Sequence, residues 1–137
     1  MDKRDWLLLS IGESIEPIQI QKTLFKFAME SGAQSQESYT FIPYNWGPCS
    51  LEIYDDLREL REDSLVEFVF SGRRWNLYRL TKTGEKKVID LKKSAKSSLL
   101  KKLDSAREYV VSRDFETLLS DIYSQYPQFA TASLFTK

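Results

Sequence analysis

The side chains that carry most protein chemistry are scarce in this chain. It has no His, which removes the commonest general base, proton shuttle and metal ligand together. Its one Cys, Cys49, can close no internal disulfide and build no cysteine-rich zinc site. Gly12, Gly32, Gly47, Gly72 and Gly84 stand too far apart to form a phosphate-cradling loop. Cys49 beside Ser50 reads in two ways, as a thiol activated at a helix N-terminus or as a small buried apolar residue. No spacing pairs a Ser with a Lys base. Catalysis, a cofactor and a metal are therefore not expected; what remains is the chemistry of charge.

Charge is abundant and unevenly placed. The 20 basic and 20 acidic residues cancel over 137 residues. Residues 1–70 hold 6 basic and 13 acidic side chains, net −7, whereas residues 71–107 hold 12 basic and 3 acidic, net +9. A cationic stretch of that size is the footprint of a polyanion site. Within it, Arg73 and Arg74 sit on a predicted tight turn beside Trp75, where planar guanidinium groups could grip phosphate oxygens in pairs or enter a narrow minor groove. Arg79, Lys82, Lys86, Lys87 and Lys93 follow. Lys82 and Lys86 are four apart and Lys86 and Lys93 seven apart, so a helix would align them. The competing reading is a polar hairpin tip and a lysine-rich surface that serves solubility.

The acidic half has its own candidate. Glu52, Asp55, Asp56, Glu59, Glu62 and Asp63 oppose only Arg58 and Arg61 within one predicted helix, net −4. Beside phosphates such a helix is repelled. It reads as a solvated face with local ion pairs, or as a docking surface in which Glu52, Asp55, Asp56 and Glu59 meet a basic partner. Tyr39, Phe41, Tyr44 and Trp46 read as packing residues of a short strand or as a base-stacking platform.

The elements that must hold these groups follow from apolar spacing and punctuation. Asp2 to Ile11 predicts a helix capped by Asp2, with Trp6, Leu8 and Leu9 on one face. A second helix runs from Pro17 to about Ser31, with Ile20, Leu24, Phe27 and Ala28 inward and Gly32 as its stop. A loop is predicted over 33–38. Tyr39 to Trp46 is strand-like but interrupted by Pro43, and Gly47 with Pro48 is predicted to turn the chain. A third helix spans about Leu51 to Asp63, with Ser50 as its side-chain cap. Leu65 to Phe70 and Trp75 to Leu80 are two strands joined by the Ser71–Arg74 turn. Thr81 opens a helix in which Glu85 assists the cap, Gly84 is a mild penalty, and Val88, Ile89 and Leu91 face inward. Two further helices are expected around Leu99 to Val111 and Phe115 to Tyr123, closed by Pro127.

Helix, helix, short strand, helix, strand, basic turn, strand, helix is the element order of a winged helix-turn-helix. The stretch Leu77-Tyr78-Arg79-Leu80-Thr81-Lys82-Thr83-Gly84-Glu85 resembles the last wing strand and following helix of many winged-helix regulators, where an aromatic, a Leu-Thr pair and a following Gly recur. Ile20-Gln21-Lys22-Thr23-Leu24-Phe25, the Tyr44 to Leu57 stretch and the tail from Asp121 to Ser133 resemble the YwgA-like group of prokaryotic proteins. A similar pattern occurs in the Panacea antitoxin domain. Those families read roughly Leu-Gln-Lys-Leu-Leu-Phe and Tyr-Gly-Pro-Tyr-Ser, so this chain departs at Ile20 and Cys49. Fold alone does not fix function.

Together these readings predict an α+β, mostly α protein. A winged helix-turn-helix domain is expected over 1–93. A C-terminal helical extension over 94–137 either packs on that domain or forms a dimer interface. The expected activity is binding of duplex DNA through the basic wing and the following helix, as a transcriptional regulator and a homodimer. The alternative is an antitoxin-like or adaptor module that binds a protein through the acidic third helix and never touches DNA. No run approaches the length of a membrane span, and residues 6–9 are too short for a secretory signal core, so a cytoplasmic location is expected.

Overall fold

The structure, a computed structural model, describes residues 1–32, 38–70, 72 and 76–135. These residues form six α-helices and two small antiparallel hairpins: α1 (Lys3–Ser10), α2 (Pro17–Ser31), β1 (Ile42–Tyr44), β2 (Gly47–Cys49), α3 (Leu51–Glu62), β3 (Val66–Val69), β4 (Leu77–Leu80), α4 (Lys82–Ser94), α5 (Ser97–Val111) and α6 (Phe115–Gln125). A 3-10 turn, Pro127–Ala130, follows. The fold is α+β and mostly helical.

Local chemistry explains most of the boundaries. The Asp2 carboxylate accepts from the Asp5 N–H at 3.0 Å while the Asp5 carboxylate accepts from the Asp2 N–H at 3.2 Å, a reciprocal cap for α1. Pro17 occupies the first turn of α2, where its missing N–H costs nothing, and Gly32 ends the helix at φ 62°. Asp114 caps α6 by accepting from the Thr117 N–H at 2.8 Å.

The chain centres on α2, which is buried on more sides than its apolar spacing predicts. Ile20, Leu24 and Phe27 enter a core with Trp6, Leu7, Leu8, Ile11, Ile53, Leu57, Leu60, Val66 and Tyr78. Phe25, on another side, meets Phe41, Tyr126 and Phe129 edge-on at ring-centroid distances of 5.4, 5.1 and 4.9 Å. Among the described elements, α5 makes the most extensive contact with α2. Leu103 and Ala106 of α5 lie in the main core, while Val110, Leu118 and Ile122 close over Phe25. The apolar stripes of α5 and α6 are thus largely covered within the chain.

Several expectations are corrected. Gly47 and Pro48 do not turn the chain. They belong to β2, with Pro43 opposite Pro48 and Tyr44 opposite Gly47, and the turn is Asn45–Trp46. In a two-residue hairpin the pair next to the closing pair exchanges no ladder hydrogen bonds, so two facing prolines are tolerated there. Ser50 caps α3 by position only. Its side chain makes no capping bond; its backbone is clamped by Gln21, which accepts from the Ser50 N–H and donates to the Ser50 carbonyl, both at 2.9 Å. Ile89 is 57% exposed, because Gly84, Val88 and Leu91 define the inward face of α4 and Ile89 lies away from it.

Gly84 is more than a helix penalty, and Glu85 is not its cap partner. The Thr81 hydroxyl accepts from the Gly84 N–H at 3.0 Å and donates to the Ser64 carbonyl at 2.6 Å, while the Thr81 N–H donates to Leu65 at 3.1 Å. A Cβ on Gly84 would lie 2.0 Å from the Leu65 carbonyl oxygen. The Thr81 to Gly84 segment therefore docks α4 directly onto the backbone where β3 begins.

One further pairing completes the hairpin. Ile15, between α1 and α2, exchanges two backbone bonds with Tyr78: its N–H donates at 3.0 Å and its carbonyl accepts at 2.9 Å. A one-residue third strand thus lies beside β4, and Val66, Phe68, Leu77 and Leu80 complete the ladder with Val69 opposite Leu77.

Candidate nucleic-acid interface

The structure sorts the charges of α3 by face. On the side toward α1, Lys3 Nζ meets Glu52 at 2.7 Å and Arg4 meets Glu59 at 2.9 Å. That hydrogen bond to Glu59 holds the Arg4 guanidinium above its ordinary pKa. Asp56, grouped by sequence with the docking carboxylates, is only 8% exposed and accepts the Tyr39 hydroxyl at 2.7 Å. Burial pushes its carboxyl up despite that bond. On the outermost face Arg58 lies between Asp55 at 3.3 Å and Glu62 at 3.8 Å. Such exposed pairs contribute only about 0.2–1 kcal/mol each. Their larger effect is on the field, since five of the six carboxylates that made α3 look repulsive, Glu52, Asp55, Asp56, Glu59 and Glu62, have cationic or hydroxyl partners from α1, α3 and Tyr39.

On the side toward the β3–β4 hairpin an arginine joins an aromatic stack, flanked by the carboxylates of Glu62 and Glu67, which pair with Arg58 and Arg79. The Arg61 guanidinium lies over the Phe68 ring, 3.8 Å from its centroid, and has no carboxylate partner among the described residues. Phe68 in turn packs on Tyr78 at 4.9 Å, tying the tip of this stack to the residue that pairs with Ile15. Arg58, Arg61, Glu62, Val66, Glu67 and Phe68 line an open groove of about 660 Å³ between α3 and the hairpin. Leu51 and Tyr54 precede Arg58 and Arg61 on the exposed side of α3.

The predicted cationic stripe is distributed differently. Arg73, Arg74 and Trp75 lie outside the described residues. Arg79 faces Glu67 across the ladder and pairs with it at 2.7 Å. Lys93 lies 3.8 Å from Asp90. Lys82, Lys86 and Lys87 are exposed on α4 and make no ion pair among the described residues. Lys82, with Arg79, Glu67, Gly12, Glu13 and Glu85, lines a second groove of about 470 Å³. Lys86, Lys87 and Lys93 line neither groove. Two other cations of the +9 stretch are spent on the backbone: Arg107 donates to the carbonyls of Ser10, Ile11 and Ser14, and Lys102 to that of Glu30.

By sequence, Arg58 and Arg61 read only as counterions to an acidic helix. Their spacing, three apart and following Leu51 and Tyr54, was the available signal for a shared outward surface. The aromatic strand divides in two: Tyr39 and Phe41 pack inward, while Tyr44 and Trp46 are exposed, Trp46 meeting Phe115 edge-on at 5.7 Å.

Cys49 is buried beside Lys22, and burial pushes its thiol up, so it does not carry the character of an activated thiolate. Among the described residues no three His, Cys, Asp or Glu side chains are grouped to hold a metal ion. Among the described residues no helix is long and apolar enough to cross a membrane. No protein-family model matches the chain, and no curated protein matches it.

Proposed function

We propose that the chain is a winged helix-turn-helix protein that binds duplex DNA in the groove between α3 and the β3–β4 wing, in the manner of a transcriptional regulator. The architectural support is the pairing of Ile15 with Tyr78, which places a short strand after the first helix alongside the wing, as this topology requires. The observation that carries the function is Arg61: a guanidinium free of carboxylates among the described residues, held over Phe68 at the junction of helix and wing. The neutralisation of Glu52 and Glu59 by Lys3 and Arg4 supports it, because it lowers the repulsion a phosphate backbone would meet. Lys82, Lys86 and Lys87 on α4 extend the reading as further phosphate contacts, and a homodimer on a two-fold DNA site remains part of it. A partner recognised through acidic side chains has less support, since two of the four named carboxylates are ion-paired to α1 and a third is buried.

The test is binding of the purified protein to random-sequence duplex DNA from low to moderate salt. Replacing Arg61 by Ala removes one phosphate contact, so the slope of log K against log salt should become shallower by about 0.9. No detectable binding at low ionic strength, or an unchanged slope, refutes the reading.

A further inference from the structure

We propose that the end of the molecule formed by the β1–β2 hairpin, the start of α6 and the 3-10 turn is the face on which a second copy of this chain docks about a two-fold axis. The sequence is 29% charged, yet residues 38–51 and 122–136 contain no Asp, Glu, Lys or Arg. The next longest such run, residues 6–12, is shorter and is buried but for Gly12. The fold sets the two long runs side by side. Phe41 from one and Tyr126 and Phe129 from the other surround Phe25, and the Leu134 N–H donates to the Asn45 carbonyl at 2.8 Å.

Core packing accounts for missing charge only where side chains are buried. Thr40, Asn45, Ser124, Gln125, Gln128 and Thr131 are exposed and neutral, at surface positions where charged residues are common. Beside them stand exposed apolar groups. Ile42 and Tyr44 of β1 and Trp46 of its turn are 46%, 42% and 41% exposed, and Phe115, on which Trp46 packs, is 37% exposed. Aromatic side chains in a neutral surround are the composition of the centre of a protein interface, where charges are depleted. The missing charge also selects the occupant. DNA, an anionic membrane or a charged peptide would find no counter-charge in these runs. Across a two-fold axis each group faces the same surface of the other copy, so a face that pairs with itself is least opposed when it carries no charge. The face supplies an interface for the homodimer in the reading above and uses no residue of the α3–wing groove.

The experiment is sedimentation equilibrium of the full chain from about 1 μM to about 500 μM, at low and at high salt. The expected result is a mass that rises from one chain and levels off at two, with a dissociation constant that high salt does not weaken. Trp46→Ser, and separately Tyr44→Lys, which brings a charge into the neutral face, should each raise that constant at least about tenfold. Ile89→Ser, at an exposed apolar side chain on α4, should leave it unchanged. Because all three side chains are exposed, the variants should match the parent in far-UV circular dichroism. A parent that stays monomeric throughout overturns the proposal, whether or not it sediments with neutral phosphatidylcholine vesicles. So does a dimer that both Trp46→Ser and Tyr44→Lys leave intact, a dimer lost at high salt, or a mass that climbs past two chains. A dimer that binds no duplex DNA leaves this face standing and overturns the DNA reading, and a monomer that binds DNA does the reverse.

Discussion

Lys22 offers the sharpest test of the described packing. It lies on α2, is 2% exposed, and its ammonium donates to the Pro48 carbonyl at 2.9 Å. Among the described residues no carboxylate pairs with it. Burial lowers its pKa from 10.5 to about 8, with the neighbouring Cys49 opposing the shift only weakly. A gap of about 2.5 units corresponds to about 3 kcal/mol of penalty on the charged folded state at neutral pH. The sign follows from proton counting. Between about 8 and 10.5 the folded protein has released this proton and the unfolded chain still holds it, so stability rises with pH across that window; below 8 the penalty is fully present. Integrating between pH 7 and pH 10 gives about 2.5 kcal/mol.

The measurement is urea unfolding of the parent and of Lys22→Met, followed by Trp fluorescence at pH 7, 8, 9 and 10. Other titrating groups are common to both proteins and cancel in the difference. At pH 7 Met removes the charge penalty but leaves the Pro48 carbonyl unbonded at a cost of about 1–3 kcal/mol, so the two stabilities should be close. By pH 10 the parent should be the more stable by about 2 kcal/mol. A difference that stays constant within about 0.5 kcal/mol over this range would show that Lys22 reaches water or an anion and would refute the reasoning.

Two other substitutions probe how α3 and α4 are fixed. Gly84→Ala places a methyl group 2.0 Å from the Leu65 carbonyl oxygen and should destabilise by about 3 kcal/mol, read as a lowered urea midpoint; a neutral effect would mean α4 does not dock there. Gln21→Leu removes both bonds to the Ser50 backbone and leaves its buried N–H unpaired, costing about 2 kcal/mol, with faster amide exchange in the first turn of α3 as the local readout; unchanged exchange would show that Gln21 does not hold the helix start.

Helix boundaries were largely legible because their signals are local. Asp2, Pro17, Gly32 and Thr81 act within one turn of where they stand, and the chain obeys them. The Gly47–Pro48 misreading shows the limit: the same residues suit a turn or a two-residue hairpin's strand, and only pairing with Ile42 to Tyr44 chooses between them. The burial of Phe25 was likewise not legible, because a single apolar face satisfies helical spacing and only the later arrival of α5, α6 and Phe129 supplies a second one.

For the candidate site, sequence alone determined the composition: no His, one Cys, and a positive stretch following a negative half. Tertiary structure decided which charges remain available. Lys3 and Arg4 lie some fifty positions before the carboxylates they neutralise, and Arg107 lies more than ninety after the carbonyls it binds. Net charge is a sum along the chain, whereas electrostatic interaction falls with distance in space. The fold therefore assigns Arg61 to the open groove and withdraws Arg79 and Arg107 into ion pairing and backbone bonds, a distinction that no count along the sequence contains.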